Sequence, residues 1–340
     1  PELEEEMEEQ SVNDAAALSP KLIYEVIRRD GEEELRRTKR SLIWSGIAAG
    51  MLISLSVLGE AVLRTYLPDT PGRYLIENLG YSLGFLAVIM GRMQLFTENT
   101  ITTVLPIMQE RTWYAFGCMM RLWGIVLGAN VVGAFAAAAL FVFTPALSPD
   151  LMPAIEGLSQ HATGMGASQS FWRAIPAGII VALIVWMLPQ ASASAFWLIL
   201  VFTWLIAAGD FTHIVAGSVE MAVLVLQGGL SAGPAIFGFF LPVLAGNIIG
   251  GTLIFTLVAW GQVRDDVEPE WIQHKVAPLT SRPALSVGVL WQAMRASFAQ
   301  IAENNLALIA AGVAFFSMLS LFPALAALIA LLGLISDPVV

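Results

Sequence analysis

Charged residues are scarce in this chain. Only 13% of its 340 residues are Asp, Glu, Lys or Arg, against about 25% in a soluble domain. No lysine occurs between Lys39 and Lys275. With 57% hydrophobic residues, this excludes a soluble globular protein and points to an integral membrane protein. Cysteine is almost absent: Cys118 stands alone, which rules out an intramolecular disulfide, and its apolar neighbours make it a packing residue. No CxxC or HExxH pair is present, and no GxxxxGK(S/T) loop that would cradle a nucleotide phosphate. Neither a metal, a cofactor, an ATP-driven pump nor a nucleic-acid partner is expected.

The charge that remains is unevenly placed. The net charge is −10, yet residues 1–40 hold 12 of the 27 acids and 7 of the 17 bases. The opening "PELEEEMEEQ" is too acidic for the start of a signal peptide and reads as a solvated, disordered tail. Residues 1–37 are therefore taken as an acidic cytoplasmic tail with an amphipathic helix. The acidity is a property of that tail and says little about the rest.

A spanning helix needs about 20 mostly apolar residues. Such runs lie near 41–66, 75–93, 113–143, 171–188, 195–208 and 235–260, with a seventh near 305–334. Two shorter apolar pieces, near 99–109 and 214–227, follow the polar interruptions "QLFTENT" and "GDFTH". The second and fifth spans thus read as broken helices, and non-helical backbone at membrane depth survives only where protein or a water-filled cavity surrounds it. Arg28, Arg29, Arg36, Arg37, Lys39 and Arg40 precede the first span, whereas loop 144–170 has Asp150 and Glu156 but no base. The positive-inside rule then places the N-terminus in the cytoplasm and that loop outside.

The chain also repeats itself. "LGANVVG" (127–133) matches "LAGNIIG" (244–250), aligning Asn130 with Asn247, and at nearly the same offset Thr97 falls on His213. Each half has three spans with a broken middle one. An odd number of spans inverts the second half, and inverted repeats with interrupted helices at matching positions point to a midplane transport site. The expected fold is all-α: an aquaporin-like six-span protomer with a 3+3 inverted repeat and two broken helices, plus an extra C-terminal membrane helix.

Ionisable groups inside a membrane are functional candidates by default. His213 changes charge near neutral pH and could lend or accept a proton while a weak acid passes; the alternative is a core histidine held by hydrogen bonds. Thr97 could donate to the same solute, and Thr97 or Asn99 could cap the following short helix. Arg92 and Glu98 flank the first break and are expected to pair, since an unpaired buried charge is costly. Asp210 either holds the His213 ring or caps the next half-helix. Leu95, Phe96 and Phe211 are placed to form apolar constrictions that exclude hydrated ions, or simply to pack. Glu60 and Glu220 could relay protons or lie at a subunit interface. His161, in the external loop, and His274, in the linker, read as solvated.

At these residues the chain resembles the formate/nitrite transporter family. Its Gly followed by Leu-Phe-Thr is "GRMQLFTENT" here, with Leu95, Phe96 and Thr97. Its Phe-x-His-x-x-Ala-Asn is "FTHIVAG", matching at Phe211, His213 and Ala216, with Gly217 in place of Asn. Its Asn-x-x-Gly-Gly is "NIIGG" (247–251), and "GANVVG" resembles the matching part of the third helix. The resemblance covers about residues 20–265, with the pore domain at 38–262. It implies a homopentamer in a bacterial inner membrane, in which each protomer passes a small monovalent anion such as formate, nitrite or hydrosulfide, with protons, and no enzyme activity. Gln94 stands where an acid often precedes Leu-Phe-Thr, and Arg92 and Glu98 add charge.

Residues 263–285 read as a cytoplasmic linker. Residues 286–340 resemble the first membrane segment of YihY/BrkB-like proteins, cut short, with 287–302 as a helix lying on the membrane. The chain thus reads as the front of a longer fusion. Two further readings stay open for the pore domain: a pore for a neutral solute or protonated weak acid, and a non-conducting scaffold. No Asn-Pro-Ala pair is present, which argues against an aquaporin.

Overall fold

The computed structural model describes residues 18–264. The acidic tail before residue 18, His274, the linker beyond 264, the seventh span and segment 286–340 lie outside the described residues.

The described chain is all helical. Helix α1 (Pro20–Arg36) starts where the Ser19 side chain accepts from the Leu22 amide at 3.3 Å, with Pro20 preset for the first turn. It buries Ile23, Tyr24, Ile27 and Leu35 on one side. Burial alone would raise the Glu25 carboxyl on this helix, but hydrogen bonds from Arg28 and Arg29, each at 2.7 Å, outweigh it and hold Glu25 below its ordinary range. Among the described residues, four helices are long and apolar enough to cross a membrane. They are α2 (Lys39–Tyr66), α6 (Trp113–Phe143), α8 (Ala167–Met187) and α11 (Pro234–Val263). Their outer faces are apolar, as lipid or a partner subunit requires: Phe237 and Val258 on α11 are 69% and 70% exposed.

The two remaining spans are interrupted. The first consists of α3 (Ser82–Met90), then α4 (Phe96–Thr102) and α5 (Val104–Glu110). The second consists of α9 (Ala195–Ala208) and α10 (Ile214–Leu226). Each break turns on one residue in the left-handed region, Arg92 at φ 50° and Asp210 at φ 55°. The turns close alike: the Met93 amide donates to Val88 O at 3.0 Å, and the Phe211 amide to Ile206 O at 2.9 Å. Helices α3 and α9 meet where the Ser82 hydroxyl donates to Leu200 O at 2.9 Å.

The halves repeat their packing as well as their order. Helix α2 lies on α6 and α8 lies on α11. Close approach is set by glycine: a Cβ on Gly50 would collide with the Asn130 carbonyl, and one on Gly178 with the Asn247 carbonyl. This is the aquaporin-like inverted repeat. Residues 144–170 differ from a plain external loop, because they contain α7 (Met152–Thr163), which packs on α10 and buries Ile155 and Leu158. Pro153 at its start and Gly164 at its end are the local signals for it.

Candidate functional site

Two buried asparagines hold the breaks open. Asn130 of α6 accepts from the Phe96 amide at 2.9 Å and donates to Gln94 O and Gly46 O, both at 2.8 Å. Asn247 of α11 accepts from the Ile214 amide at 2.8 Å and donates to Thr212 O at 3.0 Å and Ala174 O at 2.8 Å. A broken helix leaves orphan amides and carbonyls, and in an apolar interior each must be paired. One side-chain amide per break does this while tying the break to two long helices. The Gln94 amide is further held by the Ser45 hydroxyl at 3.0 Å, and the Thr212 amide by Arg173 O at 3.2 Å.

This frame corrects the alignment of Thr97 with His213. Arg92 and Asp210, Met93 and Phe211, and Phe96 and Ile214 are all 118 positions apart. The equivalent of His213 is therefore Leu95: both sit in extended backbone immediately before a half-helix. Thr97, the second residue of α4, corresponds to Val215. Neither Thr97 nor Asn99 caps α4; Asn99 instead donates to Leu95 O at 3.1 Å and Gln94 Oε1 at 3.2 Å.

The two residues nonetheless meet across the halves. Thr97 Oγ1 lies 2.8 Å from His213 Nε2, with Thr97 1% and His213 2% exposed. His213 caps its own half-helix, since its Nδ1 accepts from the Ala216 amide at 3.3 Å. A nitrogen that accepts from N–H carries no proton, so neutral His213 is the Nε2–H tautomer. It then donates to Thr97 Oγ1, leaving the Thr97 hydroxyl proton free to point elsewhere. Phe85 presses edge-on against the ring, with centroids 4.9 Å apart and planes at 72°. Phe85 was not among the candidates read from sequence; its place in a uniformly apolar span gave no signal.

Other expected pairings do not form. Asp210 makes no hydrogen bond or ion pair with His213 among the described residues. It forms an ion pair with Arg173 and bonds His161 Nε2 at 2.8 Å, and the Arg173 Nη1 also donates to Asp210 O at 3.1 Å. The left-handed turn at Asp210 aims its carboxylate outward toward α7 and α8, so it braces the break rather than the imidazole. His161, 63% exposed at its side chain, is thus not merely solvated. Arg92 is exposed at the first turn and makes no ion pair with Glu98 among the described residues, and Glu98 Oε1 is buried without a hydrogen-bond partner. The reason is the same turn: it swings Arg92 outward while Glu98 continues inward along α4. Phe96 packs edge-on against Trp123 at 5.6 Å, and Leu95 is fully buried.

A cavity of about 60 Å³ opens beside His213 on the side of α7. Phe211 and Phe239 form its apolar walls, and Asp210 and His161 stand at its mouth. Glu60, Glu220, Asn78 and Tyr81 line it as well. Among the described residues no cluster of three or more His, Cys, Asp or Glu side chains is placed to hold a metal ion.

Comparison with known proteins agrees with this architecture. The family model for "Formate/nitrite transporter" matches residues 21–261; it gives no support to the YihY/BrkB-like resemblance of 286–340. The chain is 46% identical over 245 residues to "Inner membrane protein YfdC" of Escherichia coli (strain K12), covering 72% of this chain and 79% of that protein. It is 27% identical over 236 residues to "Formate channel FocA" of Haemophilus influenzae (strain ATCC 51907 / DSM 11121 / KW20 / Rd), covering 62% of this chain and 82% of the relative. Among solved structures it shares the fold of a "Pentameric formate channel with formate bound", with a TM-score of 0.56, 20% identity, and coverage of 66% of this chain and 98% of that one. An "FNT family ion channel" aligns with a TM-score of 0.61 at 18% identity, covering 71% and 98%.

Proposed function

Because this chain belongs to the formate/nitrite transporter family, we propose that it conducts a small monovalent anion, with formate, nitrite and hydrosulfide as the candidate class, along a path that crosses the Thr97–His213 pair. The chain is a membrane channel or transporter and not an enzyme. The observation that carries the pathway is the hydrogen bond between Thr97 and His213 at 2.8 Å, at the point where two broken helices face each other. Thr97 supplies a free O–H, polarised by the Nε2–H that His213 donates to its oxygen. This sets a donor where an anion would shed water, which offsets part of its desolvation cost. Phe211 and Phe85 make the surroundings apolar, so a hydrated ion is poorly accommodated.

The breaks serve this chemistry. Asn130 and Asn247 consume the carbonyls of Gln94 and Thr212 that would otherwise repel an anion, and the half-helices beyond them start at the site. We place the pore domain at 38–262, the N-terminus in the cytoplasm, and the chain in a bacterial inner membrane as a homopentamer. The support is the basic cluster ahead of α2, the inner-membrane location in the name of the Escherichia coli relative and the pentameric assembly of the solved formate channel.

Liposomes containing the protein test this reading. Imposed gradients of formate, nitrite and hydrosulfide should drive uptake of at least one of them, while glycerol stays excluded. Glycerol permeation without anion uptake would assign a neutral-solute pore instead.

A further inference from the structure

The Thr97–His213 pair has hydrogen-bond donors but no store of protons. His213 Nδ1 is committed to the Ala216 amide. Adding a proton there would set two N–H groups against each other and uncap α10. If the solute crosses in a neutral form, its proton must come from another group along the same path.

The cavity beside His213 holds such groups. Glu60 of α2 is 8% exposed and lines it, as do Glu220 of α10 and the hydroxyl-bearing Tyr81, itself 7% exposed. None of these three side chains is hydrogen-bonded to another described residue, and none of their polar atoms is sealed off from the cavity. The two carboxyls lie close enough to interact with each other, and Tyr81 with both. Their charged surroundings are mixed. Arg64 and Glu77 face Glu60, and Glu77 is paired with Arg73 at 3.2 Å. At the mouth, Arg173 of α8 and His161 of α7 are both engaged by Asp210. From α11 the wall is Phe239. A buried carboxyl with no fixed partner, facing a second carboxyl across a cavity, is a poor structural element, because an unpaired buried charge is costly. It is suited to holding and releasing a proton.

We infer that Glu60 and Glu220 form a proton-loading vestibule, so that the solute meets His213 as an undissociated weak acid rather than as a free anion. This rests on the pathway proposed above. With both carboxyls ionised, the vestibule repels anions. Once one is protonated, its O–H donates to an arriving anion. The O–H bond then breaks, the proton bonds to the anion, and a carboxylate remains. The neutral acid passes Phe211 to the Thr97–His213 pair. The carboxylate is reloaded from water at the mouth between His161 and Asp210.

The test uses the full chain in liposomes with formate gradients at pH 5 and pH 7.5, reading formate uptake and internal pH together. In the parent, uptake should be at least about tenfold faster at pH 5, with one proton entering per formate. In Glu60→Gln/Glu220→Gln that ratio should fall below about twofold. Proton entry should disappear and formate movement should carry current, because an amide donates a hydrogen bond but loads no proton. Glu60→Asp/Glu220→Asp should restore both the ratio and the proton entry. A double glutamine variant that keeps the parental ratio and proton count overturns the vestibule. If the double variant fails to assemble, each single glutamine variant is read by the same two quantities. His213→Ala separates the two ideas. Lost uptake there beside a parent-like glutamine variant removes the vestibule and leaves the pathway, whereas parental uptake in His213→Ala removes both.

Discussion

Thr97 and His213 stand 2.8 Å apart although they occupy different positions in the two halves. His213 precedes its half-helix, as Leu95 does, while Thr97 is the second residue of the other. The site is therefore asymmetric within a symmetric frame: one half contributes an imidazole at the break and the other a hydroxyl just beyond it. Thr97→Val, which keeps the shape and removes the hydroxyl, should lower formate uptake about 5- to 150-fold, the range expected for losing one buried hydrogen bond of about 1–3 kcal/mol. Thr97→Ser should retain most of the uptake. Equal rates in the valine and parent proteins would remove Thr97 from the path.

The asparagine clamps make a stability prediction. Asn247→Ala strands the Ile214 amide and the carbonyls of Thr212 and Ala174 inside the protein. The loss should be about 3 kcal/mol or more, seen as a lower thermal midpoint in detergent. Asn130→Ala should behave alike, since its bonds match in number and length. A large effect at one site with none at the other would break the equivalence of the halves.

Much of this was legible in the sequence, and the failures share a cause. The spans, the two breaks and the pairing of Asn130 with Asn247 follow from apolar run length and from a polar amide repeated in matching apolar contexts. The register of the breaks did not follow. The offset of the two asparagines suggests one alignment, with Thr97 on His213, whereas the left-handed turns at Arg92 and Asp210 set another, two positions away. Those same turns defeated the expected Arg92–Glu98 and Asp210–His213 pairings, because a residue in the left-handed region turns its own side chain away from the half-helix that follows. Helix α7 escaped notice because its short amphipathic pattern is weak beside the long apolar runs.

Asp210 holds a left-handed backbone and an ion pair at once, so its roles can be separated. Asn tolerates positive φ nearly as well as Asp, so Asp210→Asn loses the pair with Arg173 and little else. Asp210→Ala adds backbone strain. The first should lower stability by about 1 kcal/mol and the second by about 2 kcal/mol. Thermal melts of the two variants, compared with Arg173→Gln, check the order.

The docking of α1 should respond to acid. Arg28 and Arg29 hold Glu25 below its ordinary range against the opposing effect of burial. A carboxyl depressed in the folded protein stabilises it above the unfolded value of about 4.3, and that contribution is lost as pH falls through the folded value. Protease accessibility at α1 should therefore be flat from pH 8 to about pH 5 and rise below about pH 4. Glu25→Gln should show the raised accessibility at every pH.

The central claim is that the anion path runs through His213. The most direct measurement is formate uptake into liposomes by the parent and by His213→Ala, each checked for folding and assembly. The account predicts rapid uptake by the parent and a loss of at least about 10-fold in the variant. Unchanged uptake in His213→Ala would contradict it, and would place the path elsewhere in the protein.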